Sequence, residues 1–432
     1  MGRIIIFTGK GGVGKSSLAA AHAVSSASGG KKTLLVSTDM AHNLGDLFDT
    51  EAGREIKTVM DCLDILELDP DWIMQHEYPD LSRVLGKLIG SNSLLETNPG
   101  DYFLLPGFEN LFSLLKIRKL YLSGVYDRII VDCAPTGETL SLLKLPELLT
   151  WYMEKFFPVG KVMVRILSPI SKLKYRVSLP NHKAMDEIEE LHARLVLLQE
   201  LLQDPEICTV RLVCIPEKMV VEETKRNYMY LNLYGYQVDR VFMNRILPDD
   251  TGNEFMNHWK EIQKPYIEEL ESVFVHVPIT RIPWYPDEIR GMKAVQKLSR
   301  EVLQYPGLFD LPPKRDREIY ITIPNGYKLM IPLPGADHMQ IKVKKYQLDL
   351  DITLHNYNRR IPLPYILKDA KIADLIQEKD MLSIIFKLEE QSEEKKDISR
   401  EIEKRKQERE AGKEKRKARI ARFRKGKNGG AI

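Results

Sequence analysis

Short apolar runs alternate with longer amphipathic segments through roughly the first two thirds of the chain. The runs lie at residues 3–8, 31–38, 64–68, 129–132, 209–215 and 237–243. Nearly continuous apolar side chains of this kind are typical of strands that are buried on both faces of a parallel sheet. The segment 183–203 carries leucines at helical spacing among charges, which indicates an amphipathic helix. The alternation predicts an α/β fold with a doubly wound parallel sheet.

The pattern changes after Pro312 and Pro313, which mark a linker. Residues 316–388 show short, alternating strand-like runs without a helical period, as the strands of a small all-β sandwich do. Beyond them, residues 389–432 are charged almost throughout, and basic residues dominate from Lys413 to Lys427. This tail is predicted to be a solvated helix or a disordered extension. It either solubilises the chain or contacts an anionic surface such as RNA or a membrane.

Composition narrows the class of protein. With 432 residues and 43% apolar content, the chain is long enough for two domains, and its formal net charge of +3 gives no general sign of nucleic-acid binding. The four cysteines have no CxxC spacing, so neither a disulfide framework nor zinc is expected, and a cytoplasmic location is the simplest expectation. The strand-like start leaves no room for a cleavable signal, and no apolar run is long enough to span a membrane.

The stretch Gly9 to Ser16, GKGGVGKS, directly follows the first apolar run and has the spacing of a phosphate-binding loop (P-loop). Glycines let successive backbone N–H groups turn toward phosphate oxygens, and the Ala-rich helix predicted from Ser17 presents its positive end to them. Lys15 is expected to contact the outer phosphates of ATP, and the Ser16 hydroxyl to bind Mg²⁺. The predicted nucleotide-binding residues of the loop are Gly9, Gly11, Gly12, Val13, Gly14, Lys15, Ser16 and Ser17.

Two aspartates stand at the ends of predicted buried strands. Asp39 follows the run KKTLLVST, and Asp132 ends the run in YDRIIVD. Because ligands of an open α/β sheet bind at the carboxyl ends of its strands, Asp39 is expected to face the phosphates, unless it only caps the helix that follows. Asp132 has the position of a Walker B aspartate and is expected to hold Mg²⁺ through water. The first domain is therefore predicted to be a P-loop NTPase.

Three features together resemble the ArsA family of deviant phosphate-loop ATPases, which includes arsenite-pump ATPases and the ATPases that target tail-anchored membrane proteins. They are the extra lysine of the loop, Lys10, and the segments STDMAHNL and DCAPTGETL. Met40 stands where the family usually has proline, Glu138 where histidine is commoner, and Ser141 where arginine is commoner. These departures leave the predicted nucleotide site intact.

The resemblance implies a homodimer in which Lys10 acts in catalysis on the partner's nucleotide, although a lysine that serves its own loop or solvent is the alternative. It also implies that Asp39 orients the attacking water and that Asn244, in VFMNRILP, contacts the edge of the adenine. The residues that it assigns to the switch loops are His42, Pro135, Thr136 and Gly137.

An apolar segment rich in aromatic residues and methionine follows the second of these loops. The region from about 145 to 205 resembles the helical insertion with which targeting members of the family form an apolar groove for clients. Core helices or a dimer contact are the alternatives. The client-binding residues that the resemblance implies are Met153, Phe156, Phe157, Met163 and Ile166.

Cysteines do not support two of the family's metal sites. Residues 245–275 contain no cysteine, so the zinc staple of eukaryotic targeting members is not expected. Cys133 and Cys208 do not match the cysteines of the arsenite site.

The segments LPGADHMQIKV, RRIPLP and DMLSIIF resemble the α-crystallin domain of small heat-shock proteins. The predicted organisation is an ArsA-type ATPase domain at 1–310, an α-crystallin-like sandwich at 316–388 and the charged tail. The predicted function is a homodimeric ATPase, dependent on Mg²⁺, that binds or delivers hydrophobic protein segments. An arsenite-efflux ATPase and a holdase or scaffold with a regulatory ATPase are the alternatives.

Overall fold

The computed structural model describes residues 2–39, 44–79, 110–134, 137, 139–144, 182–249, 253–313, 318–334, 341–354, 357–378 and 380–388.

An eight-stranded sheet forms the centre of the first part of the chain, in the order β3-β4-β2-β5-β1-β6-β7-β8. Every neighbouring pair is parallel except β3 with β4. The sheet grows from β1 in both directions, which confirms the predicted doubly wound α/β fold. Its strands are β1 (Arg3–Thr8), β2 (Thr33–Ser37), β3 (Lys57–Met60), β4 (Leu63–Glu67), β5 (Arg128–Asp132), β6 (Cys208–Cys214), β7 (Val238–Ile246) and β8 (Ile279–Pro283).

Helices connect these strands and pack on them. Helix α1 lies against β2 and β5, and α5 and α6 lie against β6. The described helices are α1 (Lys15–Ser28), α2 (Leu44–Phe48), α3 (Pro70–His76), α4 (Asn110–Leu122), α5 (His182–Gln203), α6 (Lys218–Leu233), α7 (Glu254–Val273) and α8 (Gly291–Val302). None of them is long and apolar enough to cross a membrane.

The core of this part lies around β1, which pairs with β5 on one side and β6 on the other. Ile4, Ile5 and Phe7 are completely buried, as expected for an apolar strand covered on both faces. Helix α1 begins at Lys15, two residues before the predicted start, and ends before Gly29 and Gly30. Gly30 has a φ of +73°, a left-handed conformation that suits glycine and ends the helix.

Residues 319–387 form two antiparallel sheets, in agreement with the predicted β-sandwich. One sheet has the order β14-β15-β10-β9, and the other β11-β12-β13. Alternate residues of β12, Leu350, Ile352 and Leu354, are completely buried, so this strand turns one face to the core. The strands are β9 (Ile319–Ile323), β10 (Gly326–Pro332), β11 (Ile341–Tyr346), β12 (Asp349–Leu354), β13 (Tyr357–Pro362), β14 (Lys371–Glu378) and β15 (Met381–Lys387).

Two details of the sandwich are not evident from the sequence pattern. Residues 341–354 form the hairpin of β11 and β12, because Gln347 adopts a left-handed φ of +54° and reverses the chain. Strand β14 has a weak strand pattern in the sequence, since four of its eight residues are polar and its burial does not alternate regularly.

The segment between α8 and β9, residues 303–313, is called here the connecting segment. It is held at the amino-terminal ends of the strands of the first sheet. Arg3 Nη1 donates a hydrogen bond to the Phe309 carbonyl at 2.6 Å, and Arg211 Nη2 donates to the Leu308 carbonyl at 2.5 Å. The guanidinium of Arg128 lies 4.0 Å from the centroid of the Phe309 ring. The predicted linker therefore follows a stretch of chain that is anchored on the sheet.

A buried ion pair lies beside the connecting segment. Arg211 on β6 is 1% exposed, and its Nε donates to Asp239 Oδ1 on β7 at 3.2 Å. The second carboxylate oxygen accepts from the Thr209 hydroxyl at 3.0 Å and lies 3.7 Å from Arg3 Nη2. Both oxygens of Asp239 therefore have partners within the chain.

Candidate nucleotide site

The predicted phosphate-binding loop joins β1 to α1 at the carboxyl ends of the strands. Gly14 is the N-cap of α1, no side chain caps the helix there, and its first turn contains no acidic residue. The backbone N–H groups of this turn are therefore not engaged by a capping side chain and favour an anion. Gly11 and Gly12 are exposed beside them.

At two positions of the loop, neighbouring atoms leave no space for a side chain. Gly14 has a φ of +94°, and a Cβ atom there would lie 2.5 Å from Asn244 Nδ2. A Cβ atom on Gly9 would collide with the carbonyl oxygen of Val213 on β6. The side chain of Asn244 in turn donates to the Val13 carbonyl at 2.8 Å. The loop is therefore packed tightly against β6 and β7, and only glycine fits at these two positions.

Two buried charged residues, Lys15 and Asp132, lie near each other at the P-loop. Lys15 is 6% exposed, and its Nζ donates to the Lys10 carbonyl at 3.2 Å. Asp132 is 1% exposed, and neither of its carboxylate oxygens has a hydrogen-bond partner among the described residues. Burial raises the pKa of Asp132 to about 6; the nearby Ser16 hydroxyl and the charge of Lys15 oppose this rise, and Asp39 adds to it. A buried carboxylate without partners is costly, so this position fits a cation or its bound water.

Asp39 and the P-loop line one pocket of about 360 Å³. Asp39 follows β2 and is partly buried, and its backbone N–H donates a hydrogen bond to the Ser37 hydroxyl oxygen at 3.2 Å. The structure thus brings together, around one space, the predicted residues Gly11, Gly12, Gly14, Lys15, Ser16, Ser17 and Asp39.

A second pocket of about 610 Å³ adjoins the first, because Gly14, Ser17, Asp46 and Arg245 line both. Asn244 lines this second pocket, and its contact with adenine stays a prediction. Its outer wall is the loop from Trp284 to Arg290, which follows β8. Sequence reasoning did not include that loop or Arg245 in the site. The segment PWYPDEIR, with two prolines and an aromatic pair directly after a strand, is the signal that was available.

Arg245 has an unusual backbone at this position. Its φ is +56°, which is rare for a residue with a side chain, and its guanidinium carbon lies 6.0 Å from the centroid of the Trp284 ring. Gln263 on α7 donates to its carbonyl at 2.9 Å. The left-handed turn is thus held by tertiary contacts and places Arg245 at the junction of the two pockets.

Lys10 lines neither of these two pockets. Its Nζ lies 3.7 Å from Glu223 Oε2 on α6. The ammonium of Lys10 therefore points away from the loop toward α6, which connects β6 to β7. The ammonium of Lys15 instead points to the backbone of the loop itself, at the Lys10 carbonyl.

Several predicted residues cannot be placed. His42, Pro135 and Thr136 lie outside the described residues, as do the client-binding candidates Met153, Phe156, Phe157, Met163 and Ile166. Gly137 is described within a helical turn, and its carbonyl accepts from the Ser141 hydroxyl at 2.9 Å. The roles of these residues stay predictions.

A doubly wound parallel sheet with a glycine-rich loop leading into a helix, a buried lysine and a strand-end aspartate defines a P-loop nucleotide hydrolase. The model of the anion-transporting ATPase family, ArsA, matches residues 2–304, and that of the HSP20-like domain found in ArsA matches residues 324–386. The chain belongs to the ArsA ATPase family and carries its C-terminal HSP20-like domain. It is an ATPase of this family.

Relatives of two kinds support this assignment. A putative arsenical pump-driving ATPase of Chlorobaculum tepidum is 33% identical over 398 residues, which cover 90% of this chain and 97% of that protein. Putative arsenical pump-driving ATPase 1 of Aquifex aeolicus is 31% identical over 401 residues, covering 89% and 100%. The ATPase get3 of Pyrenophora tritici-repentis is 30% identical over 317 residues, covering 70% and 91%.

Proposed function

We propose that the chain is a homodimeric ATP switch of the cytoplasm, dependent on Mg²⁺, that binds or delivers hydrophobic protein segments. The observation that carries the proposal is a buried carboxylate, Asp132, whose oxygens lack hydrogen-bond partners among the described residues and which lies near Lys15 and Ser16. This set fits Mg²⁺ bound with ATP, because the ion and its water shell would satisfy the carboxylate.

Each residue of the site has a defined task in this proposal. Ser16 and Asp132 would hold Mg²⁺, Asp132 through water, and the ion would neutralise charge on the phosphates. Lys15 would bind the outer phosphates, and the N–H groups at the start of α1 would bind phosphate oxygens. Asp39, at the rim of the same pocket, would orient the attacking water.

Lys10 would act on the nucleotide of the partner subunit. Its absence from the lining of both pockets and its orientation toward Glu223 support this role, since a lysine that served its own phosphates would line the pocket that contains them. An ammonium supplied by a second subunit stabilises charge on the transferred phosphoryl group as an arginine finger does. Hydrolysis then requires the closed dimer and allows it to reopen.

Variants of Lys15 and Asp39 test the site. Lys15→Ala should abolish ATP binding, whereas Asp39→Asn should bind ATP normally but turn over on the order of a hundredfold more slowly, because orientation of the water matters in the transition state. Nucleotide binding by fluorescence and turnover by phosphate release measure the two effects separately. Near-normal turnover of the Asp39→Asn protein would remove Asp39 from this role.

Mixing of two inactive proteins tests the action of Lys10 across the dimer. A heterodimer of Lys10→Ala and Asp39→Asn subunits places both lesions in one composite site and leaves the other site intact. Partial recovery of turnover after subunit exchange is expected. If exchange is complete and no activity returns, Lys10 does not act on the partner's nucleotide.

The client part of the proposal depends on the apolar sequence of residues 145–170 and on the HSP20-like domain. A client that drives the switch must bind the ATP state more tightly than the ADP state, since a ligand shifts an equilibrium only through its differential affinity. A fluorescent transmembrane-helix peptide should therefore bind the Asp39→Asn protein best with ATP. The double substitution of Phe156 and Met163 by Asp should weaken this binding. Equal affinity in all nucleotide states would contradict the model.

Pump driving for arsenicals is the second candidate, because close relatives carry that name. The cysteines do not favour it. Cys208 and Cys214 stand at opposite ends of β6, and burial raises the pKa of Cys133 and of Cys214 to about 12 each. Thiols that stay protonated are poor ligands for a soft ion. Turnover of the purified protein should accordingly be unchanged by arsenite; stimulation would favour the second candidate.

A further inference from the structure

The contact between Lys10 and Glu223 links the P-loop to α6. The backbone of Lys10 is held from below, because its carbonyl accepts a hydrogen bond from Lys15 Nζ at 3.2 Å. Its side chain leaves the loop toward α6, where its Nζ lies 3.7 Å from Glu223 Oε2. The two side chains are 35% and 28% exposed, so the pair lies at the molecular surface without being fully solvated.

The carboxylate of Glu223 stands on a rigid element. Val220 and Val221, one turn earlier on α6, are buried in the core, and Thr224 is 4% exposed. Lys225, two residues after Glu223, forms an ion pair with Glu269 of α7 at 2.6 Å, and this contact connects α6 to α7. The position of the Glu223 Cα atom is therefore fixed by packing, and its carboxylate can serve as a fixed point for a flexible lysine.

A lysine needs such a fixed point if it is to act outside its own loop. Its side chain has four rotatable carbons and a strongly hydrated ammonium, so it has no inherent direction. Beside the P-loop the strongest local attraction for an ammonium would be the phosphates of its own nucleotide. A carboxylate on α6 offers an alternative partner that keeps the ammonium at the surface, where a second copy of the chain can approach.

We propose that Glu223 is a positioning residue for Lys10: it holds the ammonium away from the nucleotide of its own subunit and directs it toward that of the partner. This rests on the proposed action of Lys10 across the dimer. When the dimer closes, the partner's phosphates compete with Glu223 for an ammonium that is already in place. Glu223 lines neither of the two pockets, and the role proposed for it is exerted through Lys10.

Glu223→Gln and Glu222→Gln form a matched pair for the test. Glu222 is the adjacent carboxylate on the same helix, and it binds Lys225 rather than Lys10. Since partly exposed ion pairs bias their members only modestly, kcat should fall about two- to fivefold in the Glu223→Gln protein, while KM for ATP stays unchanged. The Glu222→Gln protein should keep both constants. An equal loss in both variants, or a rise in KM without a loss in kcat, would overturn the proposal.

Heterodimers with an Asp39→Asn subunit locate the effect. If Glu223 positions the lysine that acts on the partner, a Glu223→Gln and Asp39→Asn pair contains one fully intact composite site. Its turnover should then equal that of a wild-type and Asp39→Asn pair. If the rate is instead lower by the full factor seen in the Glu223→Gln homodimer, Glu223 serves the nucleotide of its own subunit and the proposal is wrong. The Lys10→Ala and Asp39→Asn mixture, which keeps native Glu223, reports separately on whether Lys10 acts across the dimer at all.

Discussion

The two ends of the central sheet both bury charged side chains, but they satisfy them differently. At the amino-terminal ends of the strands, both oxygens of Asp239 have partners, since they accept hydrogen bonds from Arg211 and Thr209, and the carbonyl of Leu308 accepts from Arg211 Nη2. At the carboxyl ends, Asp132 is equally buried, yet its oxygens have no hydrogen-bond partner among the described residues. Burial also raises the pKa of Asp132 to about 6.

This difference distinguishes a buried charge that stabilises the fold, such as that of Asp239, from a buried charge that is available to a ligand, such as that of Asp132. A buried ion completed by its own chain stabilises one arrangement of that chain. A buried ion left incomplete costs stability until something outside the chain completes it, which is how binding sites differ from cores. Removing a charge should therefore have opposite consequences at the two ends.

Asp132→Asn should have the largest effect of these variants. It should lower the turnover of ATP but raise the stability of the nucleotide-free protein. Loss of the charge should reduce turnover on the order of a hundredfold or more. The nucleotide-free protein should become more stable at pH 8 by about 1–3 kcal/mol, because the buried carboxylate is no longer ionised without a partner. Thermal denaturation with and without Mg-ATP measures this, and Mg-ATP should narrow the gap by stabilising the wild type more. A less stable Asn variant would contradict the comparison.

The stability difference between the wild type and the Asp132→Asn variant should depend on pH. The pKa of Asp132 in the folded chain, about 6, is above its ordinary value of 3.8, so the folded state binds this proton more tightly. The wild type therefore loses stability from this group as pH rises from about 4 through 6. The advantage of the Asn variant should be absent near pH 4 and complete above pH 6.

Arg211→Ala should have the next largest effect, on stability alone. The substitution leaves Asp239 without its main partner and the Leu308 carbonyl without a donor, so the free energy of unfolding should fall by about 3–5 kcal/mol. Arg240→Ala, next to Asp239 but only partly buried, is the control and should cost much less. Chemical denaturation measures both. KM for ATP should stay normal in whatever fraction remains folded; a selective rise in KM would mean that this end of the sheet also serves the nucleotide.

Phe309→Ala should have the smallest effect of the three. It removes the ring beneath Arg128 but leaves the backbone carbonyl that binds Arg3. We expect a loss of about 1–2 kcal/mol, less than for a fully enclosed aromatic residue because Phe309 is only partly buried. Faster proteolysis within residues 303–313 should accompany the loss. Unchanged proteolysis would show that the backbone contacts alone anchor the connecting segment.

The carboxyl end of the sheet could be predicted from the sequence largely because its signals are local. Gly9 to Ser16 form one continuous motif, and Asp39 and Asp132 each end an apolar run, so the topology of the sheet brings them together. The amino-terminal end has no such pattern. Arg211 and Asp239 are 28 residues apart, and Arg3 and Phe309 are 306 apart, so only the folded chain shows that they meet. The contact of Lys10 with Glu223 was missed for the same reason.

The anchoring of the connecting segment also limits how far the HSP20-like domain can lie from the ATPase sheet. Gln237 Nε2 donates to the Pro313 carbonyl at 2.8 Å, six residues before β9 begins at Ile319. Six extended residues reach roughly 20 Å. The sandwich is thus confined to a small volume beside its own ATPase, where Tyr234 donates to the Asn358 carbonyl at 3.3 Å. At such a distance any contact between the two units proceeds at a high effective concentration, and an ATPase fragment that ended at residue 304 would lose the anchor together with the tether.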